Sequence, residues 1–599
     1  MPQHVRLGAA LLALALASVA VPADAAPERD VRWGPPIDVQ VLSVTDFHGG
    51  DKLPSQDTDI YLSDGTVHEA GDAAYLASEL DRLSVRHRRG NTFRVLNGDN
   101  LTGYNYPDKS LANEPAMEVL DALDFEFSSV GNHDLDWRID YLLDHTSEQA
   151  CPGGPRADDC FVDSTGALSA GADFEYLSAN VHWRESGDLV FQPYAIREVE
   201  GRRGTRSKVG FIGITLQGSD RHAMSYNDAL ETTDAVTAVN HYAAELQAQG
   251  VEAIVVLDHE GLRQDSKAVD ACENPRDLAW TVATQAVPAV DAVIAGHTHG
   301  LASCTVTDPA GDPRPLAIGG SYGNVIAELN LSIDPQTDDV IRDRSGFTMH
   351  PVTQDGRPDP EVRAIKDHWA GFAAERATTP VAWTEGSATL QRDASGESTL
   401  GNLVADAMLR SAATEPQLEA DLGMVATRDH SGPGWNSEIH GDLPATPHAD
   451  APAGLSAFTH QAAFEVFGHE HKVVTATRTG AQLEAALEQQ WVVGPDGSET
   501  FYPIAVSADV RYTWQASAPV GDRVDPASIT IGGAPLDLGR TYRVAGPVDT
   551  FNGSSDFPAL RTTELMRTHP HTDHITFVSY LRELGSVTLP EQDRVQVTP

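Results

Sequence analysis

Five times between residues 39 and 300 a short aliphatic and β-branched run stops abruptly on Asp, Asn or His: VLSVTDFHGG, RVLNGDN, FSSVGNHD, IVVLDHEG and AVIAGHTHG. Runs of this length, set between longer amphipathic stretches at 72–89, 113–123 and 233–249, predict strands alternating with helices in an α/β layered unit from Val39 to about Thr348. In such a sheet the carboxyl ends of neighbouring strands open on one crevice. The polar residues that close these runs are therefore expected to share one site.

Asp46 and His48 stand two residues apart, so a strand continuing through them would put both side chains on one face, with Gly49 and Gly50 turning the backbone away. NGDN adds Asp99, GNHDLD adds Asn132, His133 and Asp136, DHEG adds His259, and GHTH adds His297 and His299. Each run alone is ordinary strand-end or turn chemistry; the series predicts a metal centre. Asp46, His48, Asp99, Asn132, His259, His297 and His299 exceed what one tetrahedral ion can take, and Asp99 has two oxygens with which to bridge, so two divalent ions are expected. Oxygen and imidazole donors without thiolate suit manganese, zinc, cobalt, iron or magnesium. Two such cations about 3.5–4 Å apart clamp a phosphoryl group for in-line attack by a hydroxide held between them.

The formal charge of −45 argues against nucleic-acid polymers and anionic membrane surfaces as partners, and makes bound cations the route by which an anionic small-molecule ester is accepted. Arg6, the apolar run Leu7 to Val21 and the small residues of PADAA read as a signal peptide over 1–25, cleaved after Ala25 or Ala26. The expected product is secreted, in the extracellular or cell-envelope space, and no later stretch reads as a transmembrane segment. Four cysteines suit an oxidising compartment. Of three connectivities, Cys151–Cys160 with Cys272–Cys304 keeps both bridges local. A chain of 599 residues is too long for one core. One long helix is predicted over 359–376, followed by an α+β region over 379–599 with helices near 400–410 and 480–490 and strands from Tyr502 to the end.

In this order and at these intervals the five motifs resemble the calcineurin-like metallophosphoesterase superfamily. With GNLVADAM, TGAQLEAALEQQW and FNGSSDF, the chain resembles the exported 5'-nucleotidase family over about Val39 to Thr588. The resemblance implies a four-layer metallophosphoesterase sandwich, 39–352, joined by the long helix to a C-terminal nucleotide-specificity domain. It implies Asp46, His48, Asp99 and His299 on one ion and Asp99, Asn132, His259 and His297 on the other. His133 becomes the catalytic histidine, oriented by Asp136; some relatives carry glutamine at the position of His299. The chemistry agrees, because His133 follows a ligand and Asp136, three residues on, can accept its second ring proton; the other reading makes His133 one more ligand. In the C-terminal half the resemblance implies Phe467 and Phe551 sandwiching a base, with Asp556 on ribose and Arg428 on phosphate or ribose, so that the nucleotide lies between the two halves.

The implied activity is removal of phosphate from nucleotides. Departures from the family pattern fall in the C-terminal half: GMVATRDH replaces a glycine-rich run, VFGH puts His469 where an asparagine is usual, and FNGSSD is one residue short. These shift the expected substrates towards NAD, nucleoside diphosphate sugars or 2',3'-cyclic nucleotides. A sulfate-thiol hydrolase of the same architecture and a non-catalytic exported nucleotide-binding protein are the remaining readings.

Overall fold

The computed structural model describes residues 34–50, 59–86, 90–103, 105–137, 139–145, 151, 156, 158–168, 171–219, 226–414, 416–426, 439–467, 470–555 and 557–599. The expected signal peptide, Arg428, His469 and Asp556 lie outside them.

Two six-stranded sheets stack face to face. In the first, Ile37–Val44, Thr92–Asn97, Phe127–Ser129 and Glu175–Leu177 run parallel, and Val325–Ile333 and Gly346–Pro351 close the edge antiparallel. In the second, Arg206–Ile214, Ala253–Asp258, Ala292–Ala295 and Pro313–Gly319 are parallel, edged by Tyr194–Glu200 and Leu301–Thr307. Val39, Val41, Phe127, Phe211, Val255 and Ile294 interleave between the sheets. Helices cover both outer faces: Ala73–Ser84 and Glu114–Ala122 on the first, Ala235–Ala248 and Leu278–Gln285 on the second. Each central strand is thus buried on both faces, which is why it reads as a continuous apolar run rather than an alternating one. The four-layer α/β sandwich expected from the sequence is the one observed.

The long helix is Pro360–Thr378, capped by Asp359, whose side chain accepts from the amides of Glu361 and Val362. It stops where Pro380 forces the preceding residue out of the helical region. Val362, Ile365, Trp369 and Ala373 form one buried stripe, and the Trp369 indole donates to Glu118 at 2.6 Å. Beyond it a five-stranded sheet is ordered Ile504–Val506, Leu422–Ala426, Thr541–Pro547, Lys472–Thr479, Arg567–Thr572. Helices Thr399–Ser411 and Gly480–Glu488 match expectation within two residues. The helix Asp573–Leu584 stands where only strands were expected: its first six residues, Asp573 to Val578, are all buried, so no clean stripe betrays it in the sequence.

Contacts cross between the halves. The Tyr106 hydroxyl lies 2.8 Å from His460 Nδ1, Asp158 receives both Arg376 and Arg582, and Tyr226 accepts from the Met566 amide at 2.7 Å. Both expected disulfides, Cys151–Cys160 and Cys272–Cys304, are formed. Among the described residues no helix is long and apolar enough to cross a membrane.

Candidate metal centre

The residues that close five parallel strands meet at one edge of the sandwich, but not by strand alternation. Ile37–Val44 ends before Asp46, and Asp46 and His48 adopt left-handed backbone at φ 50° and 45°. Asp99, His297 and His299 do the same at 51°, 71° and 52°. The expectation that Asp46 and His48 share a pleat face is therefore corrected: tight left-handed turns aim these side chains inward. Such conformations cost on the order of 1–3 kcal/mol each in non-glycine residues and persist where surrounding contacts over-determine them. Here the Asp46 amide donates to Gly98 O at 3.0 Å, and the His48 amide to Asp99 O at 3.1 Å.

Two groups result. Ligand-type atoms of Asp46, His48 and His299 lie within 4.8 Å of one another, and so do those of Asp99, His259 and His297. His48 Nδ1 sits 3.1 Å from Thr102 O and His259 Nδ1 2.7 Å from Asn97 O, so each ring donates there and turns its Nε2 inward. His48 Nε2 and His299 Nε2 face each other at 3.1 Å. Asp99 Oδ2 stands between the groups, 3.0 Å from His259 Nε2 and 3.9 Å from His48 Nε2, while Oδ1 accepts the His133 amide at 2.7 Å. Asn132 is fully buried with neither side-chain polar atom hydrogen-bonded, and Asp46 Oδ1 is likewise unsatisfied. Buried polar atoms left so cost about 1–3 kcal/mol each, and this donor set fits divalent cations.

Protonation follows burial. Desolvation keeps His48 well below the ordinary histidine range and lowers His299 to about 4, so both are neutral donors at neutral pH. Burial likewise pushes the Asp46 carboxyl up to about 8. Asp99 is also buried, but His259 and His133 overcome desolvation and hold its carboxylate well below the usual range. His133 behaves oppositely to His48: burial disfavours its charge, yet the Asp136 and Asp99 carboxylates raise it to about 9. Its Nδ1 lies 2.6 Å from Asp136 Oδ2, and Asp136 is fully buried.

Glycines in the motifs are explained by contact. A Cβ on Gly131 would stand 2.1 Å from the Asp99 amide nitrogen, and one on Gly98 2.4 Å from His259 Nδ1. Sequence reasoning missed Asp134, the other carboxylate of GNHDLD. Buried, it accepts from the amides of Asp99, Asn100, Leu101 and Gly131 at 2.8–3.1 Å and ties the NGDN and GNHD loops together.

The C-terminal expectation fares differently. Phe467 is buried against Phe577 and His574 in one apolar cluster. Phe551 is fully buried in another, with Arg478 over its ring. The structure brings Asp46, His48, Asp99, His259, His297 and His299 together in two groups, with His133 and Asp136 adjoining them, while Phe467 and Phe551 each sit in a separate apolar cluster.

A family profile described as the 5'-nucleotidase C-terminal domain matches residues 376–562. The chain is 27% identical over 579 residues to a cell wall protein of Listeria monocytogenes, covering 91% of this chain and 67% of that one. It is 27% identical over 385 residues to an endonuclease of Bacillus subtilis, covering 63% of this chain and 29% of the relative. Thus it spans less than a third of that endonuclease's length. Among solved structures, the Haemophilus influenzae NAD nucleotidase superposes with TM-score 0.54 at 15% identity, over 94% of this chain and all of that one, which shows a shared fold.

Proposed function

We propose that the chain is a member of the 5'-nucleotidase family, whose C-terminal domain profile matches residues 376–562, and that it is an exported, metal-dependent phosphohydrolase that releases phosphate from nucleotides at a two-cation centre. Residues 39–352 carry the chemistry, and 379–599 form the unit that selects the nucleotide. One observation carries the reading: the two ligand groups meet at Asp99 Oδ2, with His133 hydrogen-bonded to Asp136 beside them.

Asp46, His48, Asp99 and His299 would hold one cation, and Asp99, Asn132, His259 and His297 the other. Bound divalent ions would supply Lewis-acid stabilisation of the charge growing on the phosphoryl oxygens and lower the pKa of the attacking water. The protein's share is orientation and proton handling. Asp136 Oδ2 accepts the Nδ1 proton of His133 and fixes the ring, so that Nε2 presents a proton to a phosphoryl or leaving oxygen. Left-handed turns and the Asp134 clasp hold the donors rigid, which limits reorganisation during reaction. Export is supported by the sequence of residues 1–25 and by two disulfides; amino-terminal sequencing that begins at Met1 in the secreted protein would refute it.

The test is phosphate release from AMP, ADP, NAD, UDP-glucose and 2',3'-cyclic AMP with manganese and with chelator. His133→Asn should lower kcat by roughly 100-fold or more with both cations retained. Chelator-resistant turnover, or loss of metal in that variant, would contradict the assignment.

A further inference from the structure

Where the first unit meets residues 379–599, the molecule buries a set of charges that the proposed chemistry does not use: Lys109, Glu470 and Asp573, beside Asp136. Lys109 belongs to the short helix Tyr106–Ser110 of the first unit. Glu470 stands two residues ahead of the strand Lys472–Thr479 of the second.

The helix Tyr106–Ser110 is seated on both sides. Toward the cation centre, the Asp108 carboxylate fills the space beside Gly49 and Gly103, where a Cβ would stand 2.2 and 2.4 Å from Asp108 Oδ2. Toward the second unit, the Tyr106 hydroxyl reaches His460 Nδ1 at 2.8 Å, and its ring packs edge-on against Phe464. Lys109 is carried between these two anchorages.

Lys109 faces Glu470, Asp573 and Asp136, and Glu470 faces Lys109, Asp136, Asp573 and Lys472. Asp573 has partners within its own unit: Oδ1 accepts the His574 amide at 2.8 Å, and Oδ2 lies 3.3 Å from His471 Nδ1. His471 Nε2 in turn lies 3.2 Å from Asp549 Oδ2. Asp136 Oδ2 is taken by His133 Nδ1 at 2.6 Å. Asp136 Oδ1 and both oxygens of Glu470 are left buried without a hydrogen bond, and Lys109 is the lysine that faces both carboxylates. Burial pushes the Glu470 carboxyl up to about 7, and Lys109 opposes that rise more than Lys472 does.

In an interior poor in water a charge acts over distances at which solvent would screen it. An ammonium facing Asp136 with no second anion would draw that carboxylate away from His133. Without the ammonium, Asp136 and Glu470 would repel each other, and a proton taken up by Asp136 would end its acceptance from His133.

Resting on the proposed function, we infer that Lys109 is a positioning residue that keeps the Asp136 carboxylate charged and aligned on His133, and that Glu470 of the second unit supplies the counter-charge that stops Lys109 competing for it. The His133–Asp136 pair is thus completed by the docked second unit.

The experiment measures kcat and KM for AMP and p-nitrophenyl phosphate, with metal content and thermal melting, in the manganese-loaded full chain. The variants are Lys109→Met, Glu470→Gln, Lys109→Arg and the double variant Lys109→Met/Glu470→Gln. Each neutralising single variant should lose roughly tenfold or more in kcat on both esters, with KM within about twofold and two cations retained, because one buried charge is left uncompensated. The double variant should recover to within about threefold of wild type, and Lys109→Arg should keep most of the rate. Losses that multiply in the double variant would reduce the two residues to packing and overturn the inference. So would a kcat within about twofold of wild type in either neutralising single variant, or a rise in KM confined to AMP, which would make Glu470 a nucleotide contact. If a single variant fails to fold, a folded double variant with near wild-type kcat supports the charge balance and an inactive one overturns it. No turnover of either ester by wild type with two cations bound would instead overturn the proposed function beneath it.

Discussion

Replacing Asp136 with asparagine should destabilise the cation-free protein in a way that depends on pH. The His133–Asp136 pair is buried, with 2.6 Å between Nδ1 and Oδ2. Burial opposes the charge on His133, but Asp136 and then Asp99 raise it from 6.5 to about 9. That rise of roughly 2.5 units corresponds to about 3 kcal/mol at 1.36 kcal/mol per unit, as an upper bound, of which Asp136 provides the larger part. The folded-state pKa is raised, so the stabilisation is fully present below about 6.5 and is lost as pH rises through about 9. Urea unfolding of chelator-treated wild type and Asp136→Asn between pH 5.5 and 10 reads this directly. The gap in stability should be largest near pH 6 and close towards pH 10. A gap constant across that range would refute the reasoning, and would mean that Asp136 acts by shape rather than by charge.

Phe467→Ala and Phe551→Ala should each cost about 3–5 kcal/mol of stability as cavity-forming core substitutions, measurable by thermal melts. If stability holds and only KM for nucleotides rises, these rings are ligands after all. Gly131→Ala places a methyl group 2.1 Å from the Asp99 amide nitrogen, so it should reduce bound metal and activity together; full metal occupancy would show that the loop can move aside. His48 and His299 are neutral donors because burial lowers both. Substituting His299 with glutamine should therefore keep the site but weaken one cation, seen as a lower metal content after dialysis.

The sheets and the site were legible because burial on both faces leaves unbroken apolar runs, and chemistry at parallel strand ends leaves Asp, Asn and His where those runs stop. Asp99 and the GHTH histidines could be found this way. The mode of delivery could not: five left-handed residues depend on backbone contacts made by distant loops, such as Gly98 O to Asp46. Asp134 was hidden because its partners are amides, which carry no sequence signature. Phe467 and Phe551 pose the converse problem. An aromatic side chain in a motif looks the same in sequence whether it stacks on a ligand or fills a core, and the sequence carries no sign of the separate apolar clusters in which the two rings sit. The helix Asp573–Leu584 was lost because burial at successive positions Asp573 to Val578 erases its periodicity.

The central claim is a pair of cations joined by one carboxylate. Metal analysis of the purified, dialysed protein, run beside phosphate release, tests it most directly when wild type is compared with Asp99→Asn. Wild type should carry about two equivalents of divalent metal per chain, the number that the two ligand groups provide for, and the variant should hold fewer than two and release no phosphate. An active variant with both equivalents in place, or a fully active wild type holding a single ion, would contradict the account.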